Sequence, residues 1–122
     1  MSFKVITVTE LSDERIRDIL VTAFEGGSNH WVDVFEYINP DKIEVENNIY
    51  DLPFIEGCGV VVCDAEDITE KGILNRESIK KGLKIMTDRF SWHLEDIIKG
   101  NEDANTADVL LQCAVWGDIV FG

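Results

Sequence analysis

Asp108, Gln112 and Trp116 recur at intervals of four residues, the spacing that stacks side chains on one face of an α-helix. A carboxylate, an amide and an indole on one ribbon can orient a planar ligand by hydrogen bonds and stack against it. A second group with similar chemistry is the run Glu25, Gly26, Gly27, Ser28, Asn29, His30 and Trp31. Its glycines open the backbone, Ser28 and Asn29 offer hydrogen-bonding groups, and Trp31 offers a ring. Together the two groups make a candidate pocket near residues 26–31, suited to sequestering a nucleotide signal. Lys80, Lys81 and Lys84 supply phosphate contacts if their helix faces that pocket. The same residues admit a structural reading. Gly26-Gly27 then ends a helix, Trp31 anchors the loop, Asp108 stabilises a helix start and Gln112 caps backbone groups of the 25–27 end. The residues alone leave both readings open.

Other chemistries find little support. Cys58 and Cys63 are five apart, which sets them on opposite faces of a strand, and His30 and His93 lack a partner at ligand spacing. Asp64, Glu66 and Asp67 can gather around Mg²⁺, but a solvated acidic strand end is the more frequent arrangement. Cys113 falls in an apolar helix, and Ser28 has only its near neighbour His30 as a base, a geometry that seldom activates a hydroxyl. No phosphate-cradling glycine motif is present. The expectation is a non-enzymatic protein with no metal and no cofactor.

Charge is the strongest global signal. Twenty-four Asp and Glu against eleven Lys and Arg leave the 122-residue chain at −13. Residues 31–70 hold eleven acids and one base, Lys42, whereas residues 71–100 hold seven bases and four acids. A polyanion is repelled by such a chain, so direct nucleic-acid binding is not expected. The acids Asp33, Glu36, Asp41, Glu44, Glu46, Asp64, Glu66 and Asp67 can instead imitate a row of phosphates on an exterior patch. The partner would be a basic host protein, one that binds nucleic acid or serves in defence, met rapidly and in a salt-sensitive way.

The elements that must position these groups follow from periodicity. Residues 3–9, 31–38, 59–64 and 118–121 read as strands, and 42–46 alternates like a further short one. Val60-Val61-Val62-Cys63 is a continuous apolar run typical of a central strand covered on both faces. Ser12 caps a helix over 13–25 that ends at Gly26-Gly27. Asn75 caps a second, with a seam of Ile79, Leu83, Met86 and Phe90. Ser91 either caps a third or lies inside a continuation, and Gly100-Asn101 stops it. A last helix over 106–116 ends at Gly117. The fold class is α+β in one domain over 1–122: a mainly antiparallel sheet of about four strands, covered on one face by three or four helices, with helices 13–25 and 106–116 adjacent. No window approaches the roughly 18–20 apolar residues of a membrane span. Three cysteines in apolar runs suit reduced, packed thiols, hence a cytoplasmic protein. Pairing of an edge strand such as 31–38, or of the aromatic tail, is compatible with a homodimer.

The segment Ala23-Phe24-Glu25-Gly26-Gly27-Ser28-Asn29-His30-Trp31, together with the tail Ala107-Asp108, Gln112, Ala114 and Trp116-Gly117-Asp118-Ile119-Val120-Phe121-Gly122, resembles a family of small acidic uncharacterised proteins of phages and prophages of Gram-positive bacteria. The two motifs cover about a third of the chain. His30 and Trp116 stand where Tyr and Phe would be expected. The resemblance implies a phage accessory origin and carries no established activity. Joined to the charge pattern, it leads to the expectation of an inhibitor that occupies a host nucleic-acid-handling or defence protein, such as a CRISPR effector.

Overall fold

In the computed structural model, residues 1–3 and 9–122 are described; the strand expected over 3–9 falls largely outside them. The described chain is α+β, with five α-helices and a three-stranded antiparallel sheet in the order β1-β2-β3.

Helix α1 (Asp13–Thr22) begins where the Ser12 side chain accepts from the Arg15 amide, with Asp13 and Glu14 in the turn favoured by the helix dipole. Its end widens into a π-turn, Ala23–Gly27. Strand β1 (Val32–Ile38) pairs with β2 (Gly59–Asp64), and an irregularity between Val34 and Glu36 leaves Phe35 outside the regular register. Between them lies a short α2 (Asn48–Asp51), capped by the Asn47 side chain and continued by a 3-10 turn, Leu52–Phe54. The alternation at 42–46 does not become a strand.

Strand β3 (Asp67–Leu74) follows β2 across a two-residue turn. The sequence pattern does not announce this strand. Its outer residues are exposed, and it is made a strand by the hydrogen-bonding partner it finds in β2 rather than by its own pattern. Gly72 is essential to its position, because a Cβ there would lie 2.4 Å from Val115 Cγ1.

The helical half follows the caps. Asn75 and Ser78 form a reciprocal capping box for α3 (Arg76–Arg89). At Phe90 the backbone leaves the helical region (φ −131°, ψ 47°), which divides α3 from α4 (Ser91–Lys99); Ser91 is the first helical residue and not the cap. Gly100 and Gly117, both with left-handed φ near 75°, end α4 and α5 (Ala104–Trp116). The Asp103 side chain caps α5 by accepting from the Thr106 amide. Residues 118–121, expected as a strand, are not one; the backbone of Val120 and Phe121 is hydrogen-bonded to the Gln112 side chain of α5.

Strand alternation divides the sheet into two faces. Val34, Val60, Val62, Gly72 and Leu74 share the face that meets the helices. Helices α3 and α5 pack on β3 and on each other, and α1 and α4 pack on α5, so helices 13–25 and 106–116 are neighbours as expected. Gly82 lets α3 approach the Ala114 backbone, where a Cβ would come within 2.7 Å. Among the described residues, central β2 is therefore covered by helices on one face only, a correction to the reading of its apolar run. Cys58, Cys63 and Cys113 are buried free thiols. Among the described residues no helix is long and apolar enough to cross a membrane.

Candidate functional site

The structure brings the two motifs together. Asp108, 5% exposed, accepts at Oδ1 from Ser28 Oγ and from Trp31 Nε1, each at 2.7 Å, and at Oδ2 from Gln112 Nε2 at 2.9 Å. A carboxylate, acceptor-only when ionised, suits three converging donors. Gln112 is fully buried. Its Nε2 also donates to the Phe121 carbonyl at 2.9 Å, and its Oε1 accepts from the amides of Val120 and Phe121, each at 2.8 Å. The Phe121 ring stacks on Trp31 at 5.0 Å with 11° between planes, and Trp116 packs against both.

Position 27 explains the local sequence. A Cβ there would lie 2.0 Å from the Ala104 carbonyl, so only glycine lets the π-turn meet the start of α5. That contact sets Ser28 and Trp31 over Asp108.

The expected pocket is thus filled by the protein itself. Ser28, Trp31, Asp108 and Gln112 are buried and hydrogen-bonded to one another or to the tail, while Glu25, Gly26 and Asn29 are exposed outside the cluster. The structural reading of Gln112 needs its own correction: the backbone it caps belongs to 120–121 and not to 25–27. Trp116 Nε1 is the one buried side-chain nitrogen or oxygen without a hydrogen bond among the described residues. Lys80, Lys81 and Lys84 lie exposed on α3 and do not meet this cluster. Lys84 pairs with Asp88 at 3.2 Å, and Lys80 borders a small hollow with Asp13 and Arg76.

The acidic residues form a different site. A cleft of about 720 Å³ opens between α1 and the 44–55 segment. Its walls carry Asp13, Glu14 and Asp18 from α1, Glu44 and Glu46 from the loop, and Asp51 from α2, over a floor of Val45, Tyr50, Phe54 and Ile55. The Asn39 side chain shapes the loop by bracketing Ile43: its Nδ2 donates to the Ile43 carbonyl at 2.8 Å and its Oδ1 accepts from the Ile43 amide at 2.9 Å. Lys42 adopts left-handed φ (53°) at the intervening turn. An edge-on contact between Phe24 and Tyr50 ties α2 to the end of α1. Burial, and secondarily the Glu25 carboxylate, push the Tyr50 hydroxyl above its ordinary pKa.

Two arginines partly offset the charge. Arg17 pairs with Asp51 inside the cleft, and Arg76 grips Asp13 through two nitrogens at 2.8 and 3.0 Å. Hydrogen bonding to Arg76 holds the Asp13 carboxyl below its usual range. The carboxylates of α1 were not among the acids singled out from the sequence. The signal that could have found them is the Glu14–Asp18 spacing of four on the side of α1 away from Ile16, Ile19 and Leu20.

The remaining acids are placed elsewhere. Asp33, Asp64, Glu66 and Asp67 lie at the opposite end of β1, around the β2–β3 turn, about 20 Å away along the strand at its usual rise. Asp64 accepts from the Glu66 amide at 2.9 Å, and Asp67 accepts from the Thr69 amide and hydroxyl, bonds that hold its carboxyl below the usual range. Glu36 and Asp41 fall between the two groups. The middle third therefore forms two acidic clusters joined by β1, not a single stripe. Of its eleven acids, Asp51 alone makes an ion pair among the described residues. Among those residues no three His, Cys, Asp or Glu side chains converge as metal ligands would.

Comparison with family models, with curated proteins and with solved structures gives no match to this chain.

Proposed function

We propose that this protein is a binding protein whose carboxylate surface occupies a cationic groove on a partner that ordinarily holds nucleic acid. One observation carries the reading: six carboxylates from three separate segments line one 720 Å³ cleft, with two arginines in partial compensation. Like charges so gathered repel one another, and a cationic partner relieves that repulsion on contact. The apolar floor of Val45, Tyr50, Phe54 and Ile55 adds area that can be buried with the charge. The resemblance of the two motifs to phage accessory proteins supports a host protein, one that handles nucleic acid or serves in defence, as the target to be inhibited.

Capture from a bacterial lysate at low ionic strength, followed by elution with DNA or RNA and then with salt, tests the proposal. The expected result is a nucleic-acid-binding protein that free nucleic acid displaces, and its loss when Asp18→Asn, Glu44→Gln and Glu46→Gln are combined. A captured protein that nucleic acid does not displace, or that the triple variant retains in full, overturns it.

A further inference from the structure

The face of the sheet opposite the helices carries a second surface. Cross-strand neighbours there are Glu36, Val61 and Ile73 in one row and Asp33, Cys63 and Lys71 in the next. On this face Phe35 is 45% and Ile73 46% exposed, beside half-buried Val61 and Ile38, while Cys63 is buried. Exposed apolar side chains scattered singly are ordinary, but Phe35, Val61 and Ile73 come from three neighbouring strands on one side of the sheet. The Lys71 ammonium sits 3.7 Å from the centre of the Phe35 ring, a cation–π contact across the strands.

At the Ile38–Ile73 end this face runs into a groove of about 640 Å³ floored by Ile38, Ile55 and Ile73 and bordered by Glu56 and Glu77. Glu56 and Glu77 border the apolar floor, Glu36 lies two residues from Ile38 on β1, and none of the three makes an ion pair among the described residues. The local cation, Arg76, is engaged with Asp13 and with the Phe54 carbonyl at 2.9 Å. Phe54 and Ile55 line both this groove and the six-carboxylate cleft, so the two hollows adjoin.

We infer that the Phe35–Ile73 side of the sheet and this groove dock a segment of the partner protein in which apolar side chains are flanked by Lys or Arg. The complementarity is specific: isoleucines and Phe35 below, unpaired carboxylates around. A second copy of the chain meets the same rim with its own carboxylates and the same charge of −13, which opposes self-association. The inference rests on the partner-binding reading and narrows it. The partner must offer an apolar anchor beside its cationic groove, which a phosphate backbone does not provide.

Two synthetic peptides test it by NMR titration or calorimetry at low salt: one with an Ile-Leu-Trp centre flanked by Lys and Arg, the other with the same flanks and a Gly-Ser centre. The first should bind the more tightly. Ile73→Ser combined with Phe35→Ser should weaken it about tenfold and leave the second peptide unchanged, as for an interface with a few anchoring side chains. Glu56→Gln with Glu77→Gln, on a surface where folding is not at stake, should weaken both and reduce the salt dependence. Equal binding of the two peptides, or no change in either variant pair, overturns the inference and leaves the partner-binding reading standing. Binding of neither peptide removes both. A dimer in sedimentation that Ile73→Ser dissolves also overturns it, by assigning the face to a second copy.

Discussion

Gln112 holds Phe121 by both ends of its backbone: the side-chain carbonyl accepts from the Phe121 amide and the side-chain amide donates to the Phe121 carbonyl. The tail is thereby read as main chain, and the ring of Phe121 is delivered onto Trp31. Gln112 also donates to Asp108, which receives Ser28 and Trp31, so one amide links the tail, α5 and the turn after α1. Buried networks of this kind hold only when every member is satisfied.

Gln112→Ala should therefore cost more than the lost packing. It removes one donor from Asp108 and frees the 120–121 backbone, for a loss of about 2–4 kcal/mol. Urea denaturation should show it, together with exchange of the Val120 and Phe121 amides at rates near those of exposed chain. Asp108→Asn should be comparably costly, because its new NH₂ must face a donor that the carboxylate accepted. A change below about 0.5 kcal/mol in both variants contradicts the network's role.

The two adjacent glycines should behave oppositely. Gly26→Ala meets no atom within 4 Å and has no left-handed φ, so it should be neutral or stabilise by up to about 1 kcal/mol through the unfolded state. Gly27→Ala drives a methyl into the Ala104 carbonyl and should destabilise by about 2–3 kcal/mol. Thermal melts of the pair against the parent protein check this directly.

Cys113 should resist alkylation in the native protein and react on unfolding. Burial first, then the Asp118 carboxylate, push its thiol up from 9.0 to about 11, against a smaller opposing effect of Arg89. The folded state therefore keeps a proton that the unfolded state releases above pH 9. Stability is fully present below that pH and falls as pH rises toward 11, by up to about 1.4 kcal/mol per pH unit for this one group. The raised Tyr50 hydroxyl adds a decline of the same sign at higher pH. Urea midpoints measured across this range, with and without Cys113→Ala, separate the thiol's share.

On the acid side, hydrogen bonding to Arg15 holds Glu102 below its ordinary range, outweighing the opposing effect of burial. Arg15 also donates to the Ile97 carbonyl at 3.2 Å, so the pair joins α1 to the end of α4. Its contribution is present above the unfolded carboxylate's pKa and is lost as pH falls through the lowered folded value. Glu102→Gln should cost about 1 kcal/mol at neutral pH and flatten the acid limb of the stability curve.

Much of the fold was legible where local chemistry decides it. Ser12 and Asn75 cap helices by their side chains, Gly100 and Gly117 end them, and Val60 and Val62 face the core as their pattern implies. Strand β3 was not legible, because Ile68, Thr69 and Glu70 are exposed and the strand depends on pairing with β2. The tail failed in the other direction: Ile119, Val120 and Phe121 have strand-like composition, but Gln112 satisfies the Val120 and Phe121 backbone, and Asp118 the Ile119 amide, in place of a neighbouring strand. The site was half legible. Helical spacing placed Asp108, Gln112 and Trp116 on one face, but spacing cannot tell whether the space in front of a face is empty, and here Trp31 and Phe121 fill it. The acidic cleft escaped because its walls are thirty residues apart in sequence and meet only in the fold.

That cleft has a consequence for the isolated protein. Mutual repulsion across its walls opposes the docking of the 44–55 segment on α1, so the solitary molecule is less stable than its packing alone would make it. Polyamines or divalent cations should raise its melting temperature without any dedicated binding site, and most strongly in dilute buffer. Any cationic partner that neutralised the same charges would stiffen the 44–55 segment in the same way.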